Sequence, residues 1–178
     1  MKKNAFYLFL TVLFIGISFT SCENDDDDYW LESTLDIKLY PKTDNRDGYF
    51  ESPYIEYRIA DLTDIPYSRV DIKDIRLIDS YLDIYGTFRY NDIIEKLAIT
   101  VEGVGTYTFP ADYAITKLDG IRIDDRTAPG YFKFMQDVIR QLEYGGRIRV
   151  LVSGFHNPSN GEIDIVIKND LDVRVRDL

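Results

Sequence analysis

The side chains able to do chemistry are few and scattered. The chain of 178 residues holds one Cys, Cys22, and one His, His156. A single Cys excludes an internal disulfide framework and a Cys-based zinc site. A single His excludes a multi-His metal site within one chain. Nucleophilic catalysis of the Ser-His-Asp or Cys-His kind needs a His held beside the nucleophile. His156 lies in Gly154-Phe155-His156-Asn157-Pro158, which reads as a polar residue at the end of a hairpin. Carboxylates are abundant, with 31 Asp and Glu. Glycoside hydrolysis needs two of them roughly 5 to 9.5 Å apart, and Glu102, Asp112, Asp124 and Asp125 are the candidates for such a pair.

Other motifs fail on spacing. Thr43-Asp44-Asn45-Arg46-Asp47-Gly48 resembles the first half of a calcium loop, but it puts Thr43 and Tyr54 where the loop's first and last acids belong. It reads as a tight turn. Gly103-Val104-Gly105 lacks the third Gly and the following helix of a dinucleotide loop, and reads as a strand bend or bulge. Asn157-Pro158-Ser159 is no glycosylation acceptor, because its middle residue is Pro. No residue pattern calls for a metal or a cofactor. The remaining lead is aromatic: Tyr81, Tyr85 and Arg89 fall on one face of an alternating strand, opposite Leu82, Ile84 and Phe88. Exposed there, the two rings would form a stacking platform for a sugar.

Charge narrows the partners. Lys and Arg number 21 against 31 Asp and Glu, a net of −10, which argues against nucleic acid. The start, Met1-Lys2-Lys3-Asn4, is basic, and residues 5–19 are uncharged and rich in Phe, Leu, Ile and Val. That is the layout of a secretory signal peptide. The run is shorter than the roughly 20 apolar residues of a membrane-spanning helix.

Phe19-Thr20-Ser21-Cys22 resembles the lipobox of bacterial lipoproteins, and Glu23-Asn24-Asp25-Asp26-Asp27-Asp28 resembles the acidic surface-export signal of Bacteroidetes lipoproteins. The resemblance covers residues 1–28. It implies cleavage before Cys22, acylation of its thiol, and export directed by Asp25, Asp26, Asp27 and Asp28. The expected location is the outer membrane, lipid-anchored, facing the cell surface or alternatively the periplasm. The processed chain would keep 19 basic and 31 acidic residues, a net of −12. Such a chain is disfavoured at anionic headgroups, so lipid must supply the anchor.

From Leu35 onward the apolar period is two. Leu35, Ile37 and Leu39 are followed by Ile55, Tyr57 and Ile59, then by runs around 70–78, 82–90, 97–101, 107–109, 147–152, 162–167 and 171–176. Alternation of this kind makes half-buried antiparallel strands. In the 70–78 run the apolar phase flips at Asp74, which a β-bulge would restore. Asp119-Gly120 has the chemistry of a two-residue hairpin turn, and Asn157-Pro158-Ser159-Asn160-Gly161 reads as the turn pairing its two flanking strands. Phe132, Met135, Ile139 and Leu142 recur at helical spacing, which predicts one amphipathic helix near 130–144, capped by Gly145.

The expected architecture is mainly β: an antiparallel β-sandwich, or alternatively a barrel, with that one helix. Residues 1–21 read as the leader, 22–31 as the lipidated Cys and acidic tether, and 32–178 as a single β-rich domain. The expected function is a non-enzymatic surface binding module for a glycan or host ligand. The alternatives are a pilus or adhesin subunit assembling by strand addition and a glycan-active hydrolase.

Overall fold

The computed structural model describes residues 28–43, 48–86, 93–110, 118–157 and 163–178. Its strands form two antiparallel sheets packed as a sandwich. One sheet has four strands in the order β1 (Tyr29–Leu39), β10 (Ile163–Asp177), β5 (Val70–Gly86), β8 (Leu118–Arg122). The other has six. It runs β2 (Lys42–Thr43), β3 (Tyr49–Glu51), β9 (Arg147–Asn157), β6 (Ile93–Val101), β7 (Gly105–Thr108), and β4 (Ile55–Arg58) also pairs with β9. The described strands close no barrel.

Strand β10 shows why the sheets pack face to face. Ile163, Ile165, Ile167, Asn169, Leu171, Val173 and Val175 are all buried, and the residues between them are half-exposed. Period-two alternation puts every apolar group on one face. Against this face lie Val150 and Val152 of β9 and Ile99 and Val101 of β6 in one continuous core. The sequence divides this strand into two runs at Lys168-Asn169-Asp170, but the chain stays extended through them. Asn169 is tolerated inside because it is satisfied: its Nδ2 donates to the Leu35 carbonyl at 3.0 Å and its Oδ1 accepts from Ser80 Oγ at 2.8 Å. Ser80 Oγ also lies 3.0 Å from the Tyr131 hydroxyl.

Strand β5 likewise fuses two expected strands, and it carries two bulges. Asp74 pairs with Arg174 but Ile72 with Val175, so Lys73 is extra. This is the bulge that the phase flip predicts. A second extra residue, Ile78, lies between Leu77 and Asp79. The two together keep Val70, Ile75, Leu77, Leu82 and Ile84 buried on one side.

The helix α1 (Tyr131–Gly145) closes one side of the sandwich, burying Tyr131, Met135, Val138, Ile139 and Leu142. Its left-handed cap is Gly146, one residue later than expected, whose N–H donates to Leu142 O. The opposite side is the outer edge of β1. There Thr63 N–H donates to the Thr34 carbonyl and Thr63 Oγ1 accepts from Thr34 N–H.

Two expected hairpins do not form. Asp119-Gly120 lies inside β8, where the two residues together face Asp83 across a register shift. Gly120 has φ 62, so the left-handed Gly serves a bulge and not a turn. Strands β9 and β10 do not pair either, because each is an inner strand of a different sheet. Glu102-Gly103-Val104 is the three-residue turn of the β6–β7 hairpin, with Val101 opposite Gly105, and so is more than a strand bend. His156 is 1 % exposed. β9 runs on past it and pairs it with Ile94, so it is not an exposed turn residue. Strand β1 already begins at Tyr29, taking Tyr29, Trp30 and Leu31 from the expected tether into the domain.

Candidate functional site

The outer face of the four-stranded sheet carries the predicted aromatic residues. Tyr81 and Tyr85 both stand on the outward face of β5, four residues apart, so about 13 Å separates them along the strand. They cannot stack on one another and would meet a ligand as two separate contacts. Tyr85 is 36 % exposed, and its hydroxyl donates to Asp83 Oδ2 at 3.0 Å. Tyr81 is half-buried, flanked in register by Arg122 of β8 and Lys168 of β10. Arg122 pairs with Asp79 at 2.5 Å. Arg89, the third residue of the expected platform, lies outside the described residues.

Between the two rings sits a residue that the pattern did not single out. Asp83 points outward yet is fully buried. Its carboxylate accepts from Lys168 Nζ at 2.5 Å, from the Gly120 N–H and from Tyr85. Burial pushes its pKa up, but these three donors outweigh burial and hold it below the ordinary carboxylate value. The same contact raises the pKa of Lys168. The only sequence signal for Asp83 is an acid between two apolar neighbours on a strand. Its partner Gly120 is 37 positions away.

Two of the acids considered for hydrolysis, Glu102 and Asp124, are engaged separately. Glu102, in the β6–β7 turn, accepts from Arg149 at 3.0 and 3.3 Å. Asp124, after β8, accepts from the backbone N–H of Arg126 and Thr127 and from the Thr127 hydroxyl. The Thr127 backbone bond is the largest cause holding its pKa low, the opposite of what a general acid needs. Asp112 lies outside the described residues, and Asp125 is exposed. Among the described residues, no group of three or more His, Cys, Asp or Glu is placed to hold a metal ion. Cys22, Asp25, Asp26 and Asp27 also lie outside them.

Asp28 is described, and it docks on the domain. Its carboxylate lies 2.8 Å from Arg176 Nε and 3.8 Å from Arg174 Nε. Beside it, the Tyr29 hydroxyl donates to Asp177 at 2.8 Å, and the Arg76 guanidinium sits 4.2 Å from the Trp30 ring centroid. Comparison with protein-family models, with curated proteins and with solved structures finds no match to this chain.

Proposed function

We propose that this chain is a lipid-anchored, cell-surface binding module without enzymatic activity, whose sandwich meets a glycan or host ligand. Acylation at Cys22 supplies the anchor, and Asp25, Asp26, Asp27 and Asp28 direct export. The observation that carries the reading is how the N-terminal segment joins the domain. Asp28, Tyr29 and Trp30 are fixed against Arg176, Asp177 and Arg76, all at one pole of the four-stranded sheet. Tyr29 is in register with Val175 and Tyr85 with Asp164. The strand rise puts these rows about 36 Å apart. A tether leaving at Asp28 therefore holds Tyr85 toward the far pole, away from the membrane.

Assembly by strand addition needs a free sheet edge. β5 offers one, since β8 covers only its second half, and a groove of about 550 Å³ runs between residues 74–78 and α1. The two bulges and the charges of Asp71, Lys73, Asp74 and Arg76 blunt that edge, which is how sheets resist pairing with another chain. At the β5 edge this disfavours strand addition.

The test is protease access to the domain on intact cells, together with glycan binding by Tyr81→Ala and Tyr85→Ala variants. Wild-type protein is expected to be cleaved from outside. A variant with Asp25, Asp26, Asp27 and Asp28 changed to Ala is expected to be shielded, and a Cys22→Ala variant to leave the membrane fraction. Shielded wild-type protein would overturn the surface reading.

A further inference from the structure

The outer face of the six-stranded sheet differs from that of its partner. Among the described residues, its middle holds no ionisable side chain on β9, β6 and β7, and Glu51 of β3 borders it in register with Ser153. Ser153 and Leu151 of β9 stand in register with Ala98 and Thr100 of β6, and these with Thr108 and Thr106 of β7. The Thr100 and Thr106 hydroxyls are bonded at 2.8 Å.

Aromatic rings bound this neutral strip at both ends. At one end Tyr49 and Phe155, both exposed, pack edge to face with centroids 5.5 Å apart. The Tyr49 hydroxyl donates to Glu51, which fixes its ring. Lys96 sits in a β6 bulge with φ 53, a left-handed conformation unusual for a residue with a side chain. The bulge brings Lys96 Nζ to 5.3 Å from the Phe155 centroid. Bulges that re-aim a side chain cluster near functional sites. At the other end exposed Tyr54 lies under the Arg149 guanidinium, 5.1 Å from its centroid, and Glu102 holds that guanidinium in place. Phe155 and Arg149 are six residues apart on β9, so the strip is about 20 Å long.

We propose that this face binds an uncharged glycan chain laid along β9 between Phe155 and Tyr54; the inference rests on the glycan-binding reading above and gives it a second face and a ligand class. The chemistry selects that occupant. An anionic polymer would meet Lys96 and Arg149 at the ends, but also Glu51, Glu95 and Glu102 on the rim of a net-acidic chain. A docking protein would seek an apolar centre, and this centre is four hydroxyls with only Ala98 and Leu151 apolar. A sugar chain offers C–H faces to the terminal rings and hydroxyls that both donate to and accept from Ser and Thr. It also brings no charge to be desolvated.

The experiment is affinity electrophoresis of the full-length protein, purified in detergent from the cells that make it. The gels contain soluble starch, dextran, laminarin or mannan, with polygalacturonate as the anionic comparison. At least one neutral glycan should retard the wild type. Tyr54→Ala and Phe155→Ala should each weaken that retardation by about tenfold, the loss of one good contact. Phe155→Tyr, which keeps a ring, and Tyr144→Ala, on the helix at 85 % exposure, should bind as wild type does. The Phe155→Tyr result separates lost binding from lost folding. Retardation that survives both Ala variants but fails in Tyr81→Ala or Tyr85→Ala overturns this inference and leaves the first platform standing. Retardation by polygalacturonate alone overturns the ligand class. No retardation by any of the four neutral glycans overturns both.

Discussion

The Tyr57 hydroxyl makes both hydrogen bonds that a neighbouring strand would make to Lys38. It accepts from the Lys38 N–H at 2.6 Å and donates to the Lys38 carbonyl at 2.7 Å. Tyr57 belongs to β4 in the six-stranded sheet and Lys38 to β1 at the edge of the other. One phenol therefore blunts an exposed edge and ties the two sheets together. Tyr57→Phe should destabilise the fold by about 1–3 kcal/mol, since two main-chain groups lose their partner at once. Urea unfolding should show a lower midpoint with an unchanged slope. An unchanged midpoint would mean that water replaces the phenol at no cost.

The same phenol should mark the alkaline limit of the fold. Burial raises the Tyr57 pKa to about 12, and burial also raises that of Tyr67 to about 12. Tyr67 donates to the carbonyls of Ile59 and Leu62. Both folded values lie above the ordinary 10.0. The stability they contribute is therefore complete below pH 10 and falls as pH rises toward 12. Tyrosinate absorbance should show late-titrating phenols in the folded protein, one fewer in Tyr57→Phe. Titration of every tyrosine near its ordinary value would contradict the buried setting of both.

Gly48→Ala should be among the most damaging single substitutions. Gly48 has φ 70, and a Cβ there would sit 2.6 Å from the His156 carbonyl oxygen. That oxygen is backbone and cannot swing away, while Gly48 O accepts from His156 N–H at 2.7 Å. Left-handed strain alone costs about 1–2 kcal/mol, so the total should exceed 2 kcal/mol. A thermal melt of the variant within a degree or two of wild type would show that the backbone at Gly48 and His156 yields to a Cβ at little cost.

Which faces are buried was legible in the sequence, and so were the helix and the bulge at Lys73. Those signals are local: period two, period 3.6 and a phase flip. Pairing was not legible, because it is set by residues far apart in the chain. Asp119-Gly120 has the same composition in a hairpin turn as in a bulge, and only Asp83 on β5 decides between them. Strands β9 and β10 alternate equally well, and nothing in alternation says that they occupy different sheets. Asn169 interrupts an apolar run and so reads as a break. It is instead a buried donor and acceptor between Leu35 and Ser80. Asn169→Ala should cost about 1–3 kcal/mol by taking one partner from each, with Ser80 Oγ keeping only the Tyr131 hydroxyl, a loss that double-mutant analysis with Ser80→Ala should show to be shared. Of the candidate site, Tyr81 and Tyr85 follow from the strand period. The Tyr49–Phe155 pair does not, because it joins β3 and β9 across the sheet.

Asp83 links the fold to the first aromatic platform. Its carboxylate holds Gly120, and thereby β8, whose Arg122 flanks Tyr81. It also fixes the hydroxyl of Tyr85. Asp83→Asn keeps the shape and one acceptor but removes the charge facing Lys168. Lys168 is half-exposed, and screening reduces the ionic part of the loss. The buried hydrogen bonds are lost in part, because an NH2 replaces an oxygen that accepts from Gly120 or from Lys168 and Tyr85, so the substitution should cost about 1–3 kcal/mol at neutral pH. The sign with pH follows from the direction of the shift. Asp83 titrates below its ordinary 3.8 in the folded state, so its stabilisation is present above that value and is lost as pH falls through the folded value. The gap between wild type and Asp83→Asn should accordingly be full at neutral pH and close on acidification, as wild type loses the same charge. Hydrogen exchange at the Gly120 amide should speed up in the variant before the core strands are affected, because β8 is the edge strand it releases. A gap that stays constant down to the acid transition would mean that Asp83 acts through packing alone. The platform beside it would then owe nothing to its charge.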